Sequence, residues 1–115
     1  TMDYGQFLTV YQSIISKALA RLKPNRFACF VVGEYRDKKT GFYRGFVPAT
    51  CAAFMLSGAE FYNEAVLVTS VGSLPIRVSK QFTSSRKLGR THQAVLQFVK
   101  GDPKLAAEAI NAANR

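Results

Sequence analysis

The chain has 115 residues, enough for one domain or part of one, and its 48% apolar residues exclude a disordered protein. Its longest apolar runs reach about six or seven residues, against the ~20 that cross a bilayer, so no membrane partner is predicted. The net charge of +9 favours a polyanion partner, because lysines and arginines displace the counterions condensed on nucleic acid.

The two cysteines, Cys29 and Cys51, lie in apolar stretches and are predicted to be small buried hydrophobes. So few cysteines argue against a disulfide framework or a zinc site and fit a reducing, cytoplasmic location. No basic segment followed by an apolar one opens the sequence, so no signal peptide is predicted. An N-terminal threonine fits an excised, a processed and a naturally truncated chain alike.

The predicted elements alternate between helix and strand. In chain order they are a helix over 3–23, a strand over 26–33, a helix over 46–57, a strand over 61–69, a basic loop over 71–91, a strand over 92–100 and a helix over 102–114. Such alternation predicts an α/β fold with a mostly parallel sheet. Three strands are few for a sheet of this kind, so the first strand is expected to be an edge or to need neighbours that the chain does not contain.

Local signals set several boundaries. Asp3 and Gln6 form a capping box at the start of the first helix, and Pro24 prevents that helix from continuing. The unbroken apolar runs 27–32 and 65–68 predict strands with buried centres, the first of them buried on both faces.

The sequence offers few parts for catalysis. Residues 34–45 are predicted to be a polar and aromatic loop with its turn at 37–41, and no glycine-rich cofactor turn or Gly-Lys phosphate loop follows a strand. The acidic residues are too scattered for a metal site. His92 is the lone histidine and has no carboxylate beside it, so a structural or DNA-contacting role is favoured over a catalytic one.

The cations are concentrated in one segment. From residue 65 to residue 101 the chain carries no acidic residue, and this segregation favours a surface that binds phosphates through cations and base edges through hydroxyl and amide groups. A solvated basic loop is the alternative. The predicted DNA-binding residues are Arg77, Lys80, Arg86, Lys87, Arg90 and His92.

Several stretches together resemble the DNA methyltransferases that modify the exocyclic amino group of adenine or cytosine. They are ARLKP at 20–24, FACFVVG at 27–33, EYRDK at 34–38, GFYRGF at 41–46, YNEAVLVT at 62–69, GSLPIR at 72–77, RKLGRTHQ at 86–93 and VLQFVK at 95–100. The similarity covers almost the whole chain and is closest to bacterial and phage enzymes associated with ParB-like domains. It implies the C-terminal half of a Rossmann-like class I methyltransferase sheet, mostly parallel with a last antiparallel strand.

Enzymes of this family transfer a methyl group from S-adenosylmethionine to a flipped base, with a glycine-rich cofactor motif and a Pro-Pro-Tyr or Pro-Pro-Phe catalytic motif. Neither motif occurs here, so the resemblance assigns no catalytic or cofactor-binding residue. The isolated chain is therefore predicted to bind no S-adenosylmethionine and to be inactive. It implies instead a scaffold with DNA contacts and one wall of the active site. The implied wall residues are Glu34, Tyr35, Arg36, Phe42, Tyr43 and Arg44.

Two hypotheses remain open at this point. In the first, the chain is part of a DNA methyltransferase whose partners are DNA and the missing N-terminal half of the domain. In the second, it is a stand-alone, non-catalytic DNA- or protein-binding member of the family; a basic protein of unrelated fold is a third, weaker hypothesis. An edge strand over 27–32 without its neighbour also predicts self-association. Neither the target base nor the recognition sequence is indicated.

Overall fold

The structure, a computed structural model, describes residues 3–68 and 74–114, excepting the side chains of 74–78. Its elements are α1 (Tyr4–Arg21), β1 (Arg26–Val32), α2 (Phe46–Leu56), β2 (Glu60–Val68), α3 (Leu74–Ser85), β3 (His92–Lys100) and α4 (Pro103–Ala113). All of them except α3 begin and end within about two residues of the bounds expected from the sequence.

α1 is fixed at both ends by specific hydrogen bonds. The Asp3 carboxylate accepts from the Gln6 N–H at 2.8 Å, and the Gln6 side chain accepts from the Asp3 N–H at 3.1 Å, which completes the capping box. At the other end, Lys100 Nζ donates to the carbonyl groups of Leu19 and Leu22. Because Lys100 closes β3, this cation ties the last turn of α1 to the sheet and satisfies carbonyls that the helix leaves free.

The three described strands lie in the order β1-β3-β2, and both pairings are antiparallel. The prediction of a mostly parallel, Rossmann-like sheet is therefore wrong. β1 and β2 run in the same direction and are connected through α2, but β3 lies between them and pairs with each, so no parallel pair forms. Alternation along the sequence does not reveal which strand inserts between two others. The antiparallel course expected of the last strand is confirmed.

The core lies on the face of the sheet that α1 and α2 cover. Alternating residues of β3 point to this face. Val99 points to the opposite side, and α4 contacts β1 and β3 and buries its Ala106. Phe98 stacks on Phe54 with ring centroids 4.0 Å apart. The buried core residues are Ile15, Leu19, Val32, Ala53, Phe54, Ala59, Ala94, Leu96 and Phe98.

Burial is less complete than the apolar runs predict. Every residue of β2 is exposed, including Val66 at 60% and Val68 at 74%, so the expected buried centre of this strand is wrong. In β1, Val31 and Cys29 are exposed, which corrects the expectation of burial on both faces and of a buried Cys29. β1 pairs with β3 alone within the described residues and is an edge strand, as expected. Strand formation requires only pairing, whereas burial also requires a covering layer.

Helix α3 occupies residues 74–85, so the prediction of a loop there is wrong. Serine and threonine are weak helix formers because their hydroxyl groups compete for backbone hydrogen bonds. In α3 these hydroxyls bond within the helix: Thr83 Oγ1 donates to the carbonyl of Ser79 at 2.9 Å, and Ser85 Oγ donates to that of Gln81 at 3.0 Å. Irregular backbone follows from residue 86 to residue 91. The start of the predicted loop, 71–73, lies outside the described residues.

Candidate nucleic-acid interface

Residues 35–44, directly after β1, form a hairpin. Its arms are joined by an antiparallel bridge between Arg36 and Tyr43, and its turn lies at 37–41, where the sequence places it. The Asp37 carboxylate accepts hydrogen bonds from the N–H groups of the second and third residues after it, at 2.7 and 3.0 Å. These bonds lower the pKa of Asp37. The turn is therefore held by a carboxylate that is charged at neutral pH.

Glu34 attaches the base of the hairpin to α2. Its two carboxylate oxygens accept from the N–H groups of Phe46 at 2.5 Å and Val47 at 3.3 Å. Gly45, the residue before Phe46, adopts a φ of +75°, which allows the chain to turn into the helix. A carboxylate at a helix N-terminus is favourable because it satisfies free N–H groups and opposes the helix dipole. Glu34 therefore positions the hairpin, and its carboxylate is engaged at α2.

Arg44 connects the hairpin to the start of α1. Its guanidinium lies 4.9 Å from the ring centre of Tyr4 and 5.9 Å from that of Tyr35, and it pairs with Asp37 at 2.9 Å. The Tyr35 ring also lies edge-on to Phe46, with centroids 5.9 Å apart. Cation–π contacts and aromatic pairs of this geometry are attractive, so the hairpin, α1 and α2 converge on one cluster.

A cavity of about 600 Å³ opens between the hairpin and the start of α1. Four cations against two carboxylates make its lining net positive, and three aromatic rings supply apolar surface. The Tyr4 hydroxyl is buried with no hydrogen-bond partner in the described part of the chain, and burial raises the pKa of Tyr4, so this group remains a donor at neutral pH. The lining residues are Asp3, Tyr4, Phe7, Tyr35, Arg36, Asp37, Lys38, Lys39 and Arg44.

S-adenosylmethionine, the cofactor that the resemblance implies, does not fit this cavity. Its sulfonium centre is a cation, and a net positive lining repels a cation. The carboxylate of Glu34, which lies after the end of β1, is not free to pair with that cation, because it already accepts hydrogen bonds from N–H groups of α2. The charge of the cavity suits an anionic group beside a planar ring instead.

Lys87 brings the predicted DNA-binding segment into contact with the hairpin. A Cβ atom placed on Gly41 would lie 3.0 Å from Lys87 Cε and 3.2 Å from Lys87 Nζ, so the lysine side chain lies against the turn. Arg86 leaves α3 with a φ of 57° and places its guanidinium 5.1 Å from the ring centre of Phe82. The implied active-site wall and the predicted DNA-binding segment therefore meet at Lys87.

The other predicted DNA-binding residues extend away from this contact. Lys80 is exposed on α3, and His92 is exposed at the start of β3. Arg90 Nε donates to the carbonyl of His92 at 3.0 Å, which orients the arginine along the entry to the strand. Arg77 belongs to α3, but its side chain lies outside the described residues.

Six residues that line the cavity are missing from the site predicted by sequence: Asp3, Tyr4, Phe7, Asp37, Lys38 and Lys39. Tyr4 and Phe7 recur with Tyr11 at helical spacing, which places three rings on one face of α1, but only the fold shows that this face meets the hairpin. Lys38 and Lys39 lie inside the predicted turn, between two stretches assigned to the wall. Their position between those stretches is a signal that could have included them.

Comparisons with protein-family models, curated proteins and solved structures gave no match to this chain. No helix in the described ranges has the length and apolar character required to cross a bilayer. Within those same ranges, no group of three or more histidine, cysteine, aspartate or glutamate side chains is arranged to hold a metal ion. The candidate site therefore stands on its own geometry and charge.

Proposed function

We propose that the chain is part of a cytoplasmic bacterial or phage DNA methyltransferase that transfers a methyl group from S-adenosylmethionine to an exocyclic amino group of a DNA base. This segment supplies scaffold and DNA contacts, while cofactor binding and chemistry belong to the remainder of the enzyme. The observation that carries the DNA-contacting role is the contact of Lys87 with the turn at Gly41. It supports one cationic surface made of Arg36, Lys38, Lys39, Arg44, Arg86, Lys87 and Arg90.

The charge of this cationic surface supports a polyanion as its partner. Arg44 and Asp37 form the only ion pair among the described side chains, so the other cations of the surface have no acidic side chain within 4.0 Å. Clustered cations repel one another, and a phosphate backbone relieves that repulsion while releasing its own counterions.

Two features of the sheet favour the methyltransferase hypothesis. β3 runs antiparallel to β2, as the resemblance implies for the last strand. The outer edge of β1 has no strand beside it in the described structure, so its N–H and C=O groups can pair with a further strand. The N-terminal half of the enzyme is the partner that we propose for this edge. Self-association through the same edge is expected when that half is absent.

The second candidate function is a stand-alone DNA- or protein-binding protein without chemistry. The cationic surface supports it equally, because the misfit between the described cavity and S-adenosylmethionine is expected under both functions. The two functions share the cationic surface and differ in whether catalytic parts join β1, so they are separated by testing DNA binding first and methyl transfer second.

DNA binding is tested by fluorescence anisotropy with a labelled 20-base-pair duplex over a series of salt concentrations. Each phosphate contact contributes ~0.9 to the slope of log affinity against log salt. Replacing Arg86 and Lys87 together by alanine should therefore flatten the slope by about two units and weaken binding to all sequences alike. Unchanged affinity and slope would contradict the proposed surface.

A double variant of Lys17 and Lys104 is the matched control. Both lysines are exposed, Lys104 lies on α4, and Lys17 lies about 20 Å along α1 from Tyr4 by the helical rise. The control removes the same charge, so it should change the slope much less than the Arg86 and Lys87 variant. Equal effects would show that net charge, and not the described surface, binds DNA.

Methyl transfer is tested with the coding sequence that precedes Thr1. If it encodes a glycine-rich motif and a Pro-Pro-Tyr or Pro-Pro-Phe motif, the joined protein should transfer a labelled methyl group to DNA, and the 115-residue chain alone should not. A start codon at Met2 would favour the stand-alone function.

A further inference from the structure

Three aromatic side chains on or beside the cationic surface are exposed to solvent. Phe42 is 74% exposed, Tyr43 47% and Phe82 40%. Rings of this size contribute most to stability when they are buried, and a group of exposed ones commonly marks a binding surface.

Cations accompany each of these rings. The Arg36 guanidinium lies 4.3 Å from the ring centre of Tyr43, and that of Arg86 lies 5.1 Å from the ring centre of Phe82. Phe42 follows Gly41, the residue against which Lys87 packs. Cations and aromatic rings therefore lie together on this surface, with a guanidinium over one face of Tyr43 and one face of Phe82.

We infer that this surface binds single-stranded nucleic acid in preference to duplex, with unpaired bases stacked on Phe42 and Tyr43 and the backbone phosphates on Lys87 and Arg36. The inference rests on the proposed DNA-contacting function and adds the state of the strand that is bound. Phosphates are available in duplex and single strand alike, but the faces of bases inside a duplex are covered by their neighbours. Exposed rings thus gain stacking energy only from unpaired bases.

A membrane surface is the other partner that attracts aromatic and basic residues together. The hairpin is poorly suited to insert into a bilayer, because its turn consists of Asp37, Lys38, Lys39, Thr40 and Gly41. The charged turn would have to enter the bilayer before Phe42, which lies on the arm. The geometry therefore favours nucleic acid.

The test compares binding of the 115-residue chain to a labelled 20-nucleotide deoxythymidine strand and to the 20-base-pair duplex at equal salt. Tighter binding to the single strand is expected. Phe42→Ala should weaken single-strand binding about 5- to 150-fold, the equivalent of the ~1–3 kcal/mol that stacking on one base contributes. Phe42→Tyr should retain binding because it keeps the ring. Duplex binding should change little in both variants.

Leu88→Ala is the matched control, because Leu88 is 68% exposed, apolar and adjacent to Lys87 but has no ring. It should leave single-strand affinity unchanged. Circular dichroism should show the same fold for all three variants, since each change is at an exposed side chain.

Each outcome decides between the two claims. Equal or tighter binding to duplex, with no effect of Phe42→Ala, would overturn the single-strand inference and leave the proposed DNA contact standing. Binding to neither nucleic acid would overturn both. Binding to vesicles of anionic phosphatidylserine without binding to either oligonucleotide would also overturn both and assign the surface to membranes.

Discussion

The two outer strands of the described sheet pair with the same central strand but differ in burial. β1 and β2 each pair antiparallel with β3, one on each side. β1 ends in the buried Val32 and carries the half-buried Phe30, which packs edge-on to Phe54 at 4.8 Å. All nine residues of β2 are exposed, although they include the apolar run 65–68. Pairing therefore defines both strands, whereas the helix layers determine where apolar side chains leave water.

This difference places the stability of the chain on one side of the sheet. Apolar area removed from water contributes roughly 25 cal/mol per Å², so side chains that remain exposed contribute little. The β1 side, where Phe54 of α2 packs on Phe30 and α4 contacts β1 and β3, is the cohesive part, although α2 also contacts β2. The β2 side holds apolar surface that a partner can still cover.

The largest expected effect comes from the centre of the cohesive part. Phe98 is 0% exposed and stacks on Phe54, so Phe98→Ala should lower the free energy of unfolding by about 3–5 kcal/mol. Val66→Ala in β2 should cost less than about 1 kcal/mol, because surface substitutions change stability little. Urea denaturation followed by circular dichroism measures both. A Val66→Ala cost close to that of Phe98→Ala would show that β2 is covered in solution.

Two glycines provide an intermediate comparison at the two sides of the sheet. Gly101 follows β3 and Gly58 precedes β2, with φ of +101° and +100°. A Cβ on Gly101 would lie 2.5 Å from Asn25 Oδ1 and 3.1 Å from Asn25 N, whereas a Cβ on Gly58 would meet nothing within 4 Å. Alanine at either position incurs backbone strain of about 1–2 kcal/mol. Gly101→Ala should lower the free energy of unfolding more than Gly58→Ala does, because a clash with Asn25 is added to the backbone strain.

Thermal unfolding of the two alanine variants measures this difference. A larger loss of stability for Gly101→Ala would show that the junction of β1, β3 and α4 is tightly packed around Asn25, the residue before β1. Equal costs would mean that Asn25 moves aside and that this junction is as loosely packed as the approach to β2.

The sequence predicted local structure well where a side chain bonds to its own neighbourhood. The capping box of Asp3 and Gln6 and the turn at Asp37 depend on residues within a few positions, so their signals are local. The insertion of β3 between β1 and β2 depends on contacts between residues far apart in sequence, as in the pair Val66↔Ala94, and left no local signal. The exposure of Val66 and Val68 depends likewise on where helices pack.

The candidate site was predictable in part for the same reason. Arg86, Lys87 and Arg90 were visible as part of a segregated charge, and the hairpin was visible as a turn flanked by aromatic residues. The contact between Lys87 and Gly41 and the approach of Tyr4 to Arg44 are tertiary and could come only from the structure. Glu34 shows the reverse case, because its engagement at α2 gives a structural role to a residue that the resemblance placed on the active-site wall.

The smallest expected effect concerns the hairpin that continues from β1. Hydrogen bonds from the N–H groups of Thr40 and Lys39, followed by the charge of Arg44, lower the pKa of Asp37 below its unfolded value. A depressed folded pKa means that this contribution to stability is present above the unfolded pKa and is lost as pH falls through the folded pKa. The turn should therefore loosen only in acid, below the ordinary range of a carboxyl group, while the buried β1–β3 pairing persists.

NMR titration of the Asp37 carboxyl carbon measures this pKa, and Arg44→Gln should raise it only slightly, because the backbone hydrogen bonds dominate. An Asp37 pKa at its ordinary value would mean that the turn is open in solution. Gly41 would then no longer be held where Lys87 packs against it. The hairpin would be as weakly fixed by packing as the exposed strand β2.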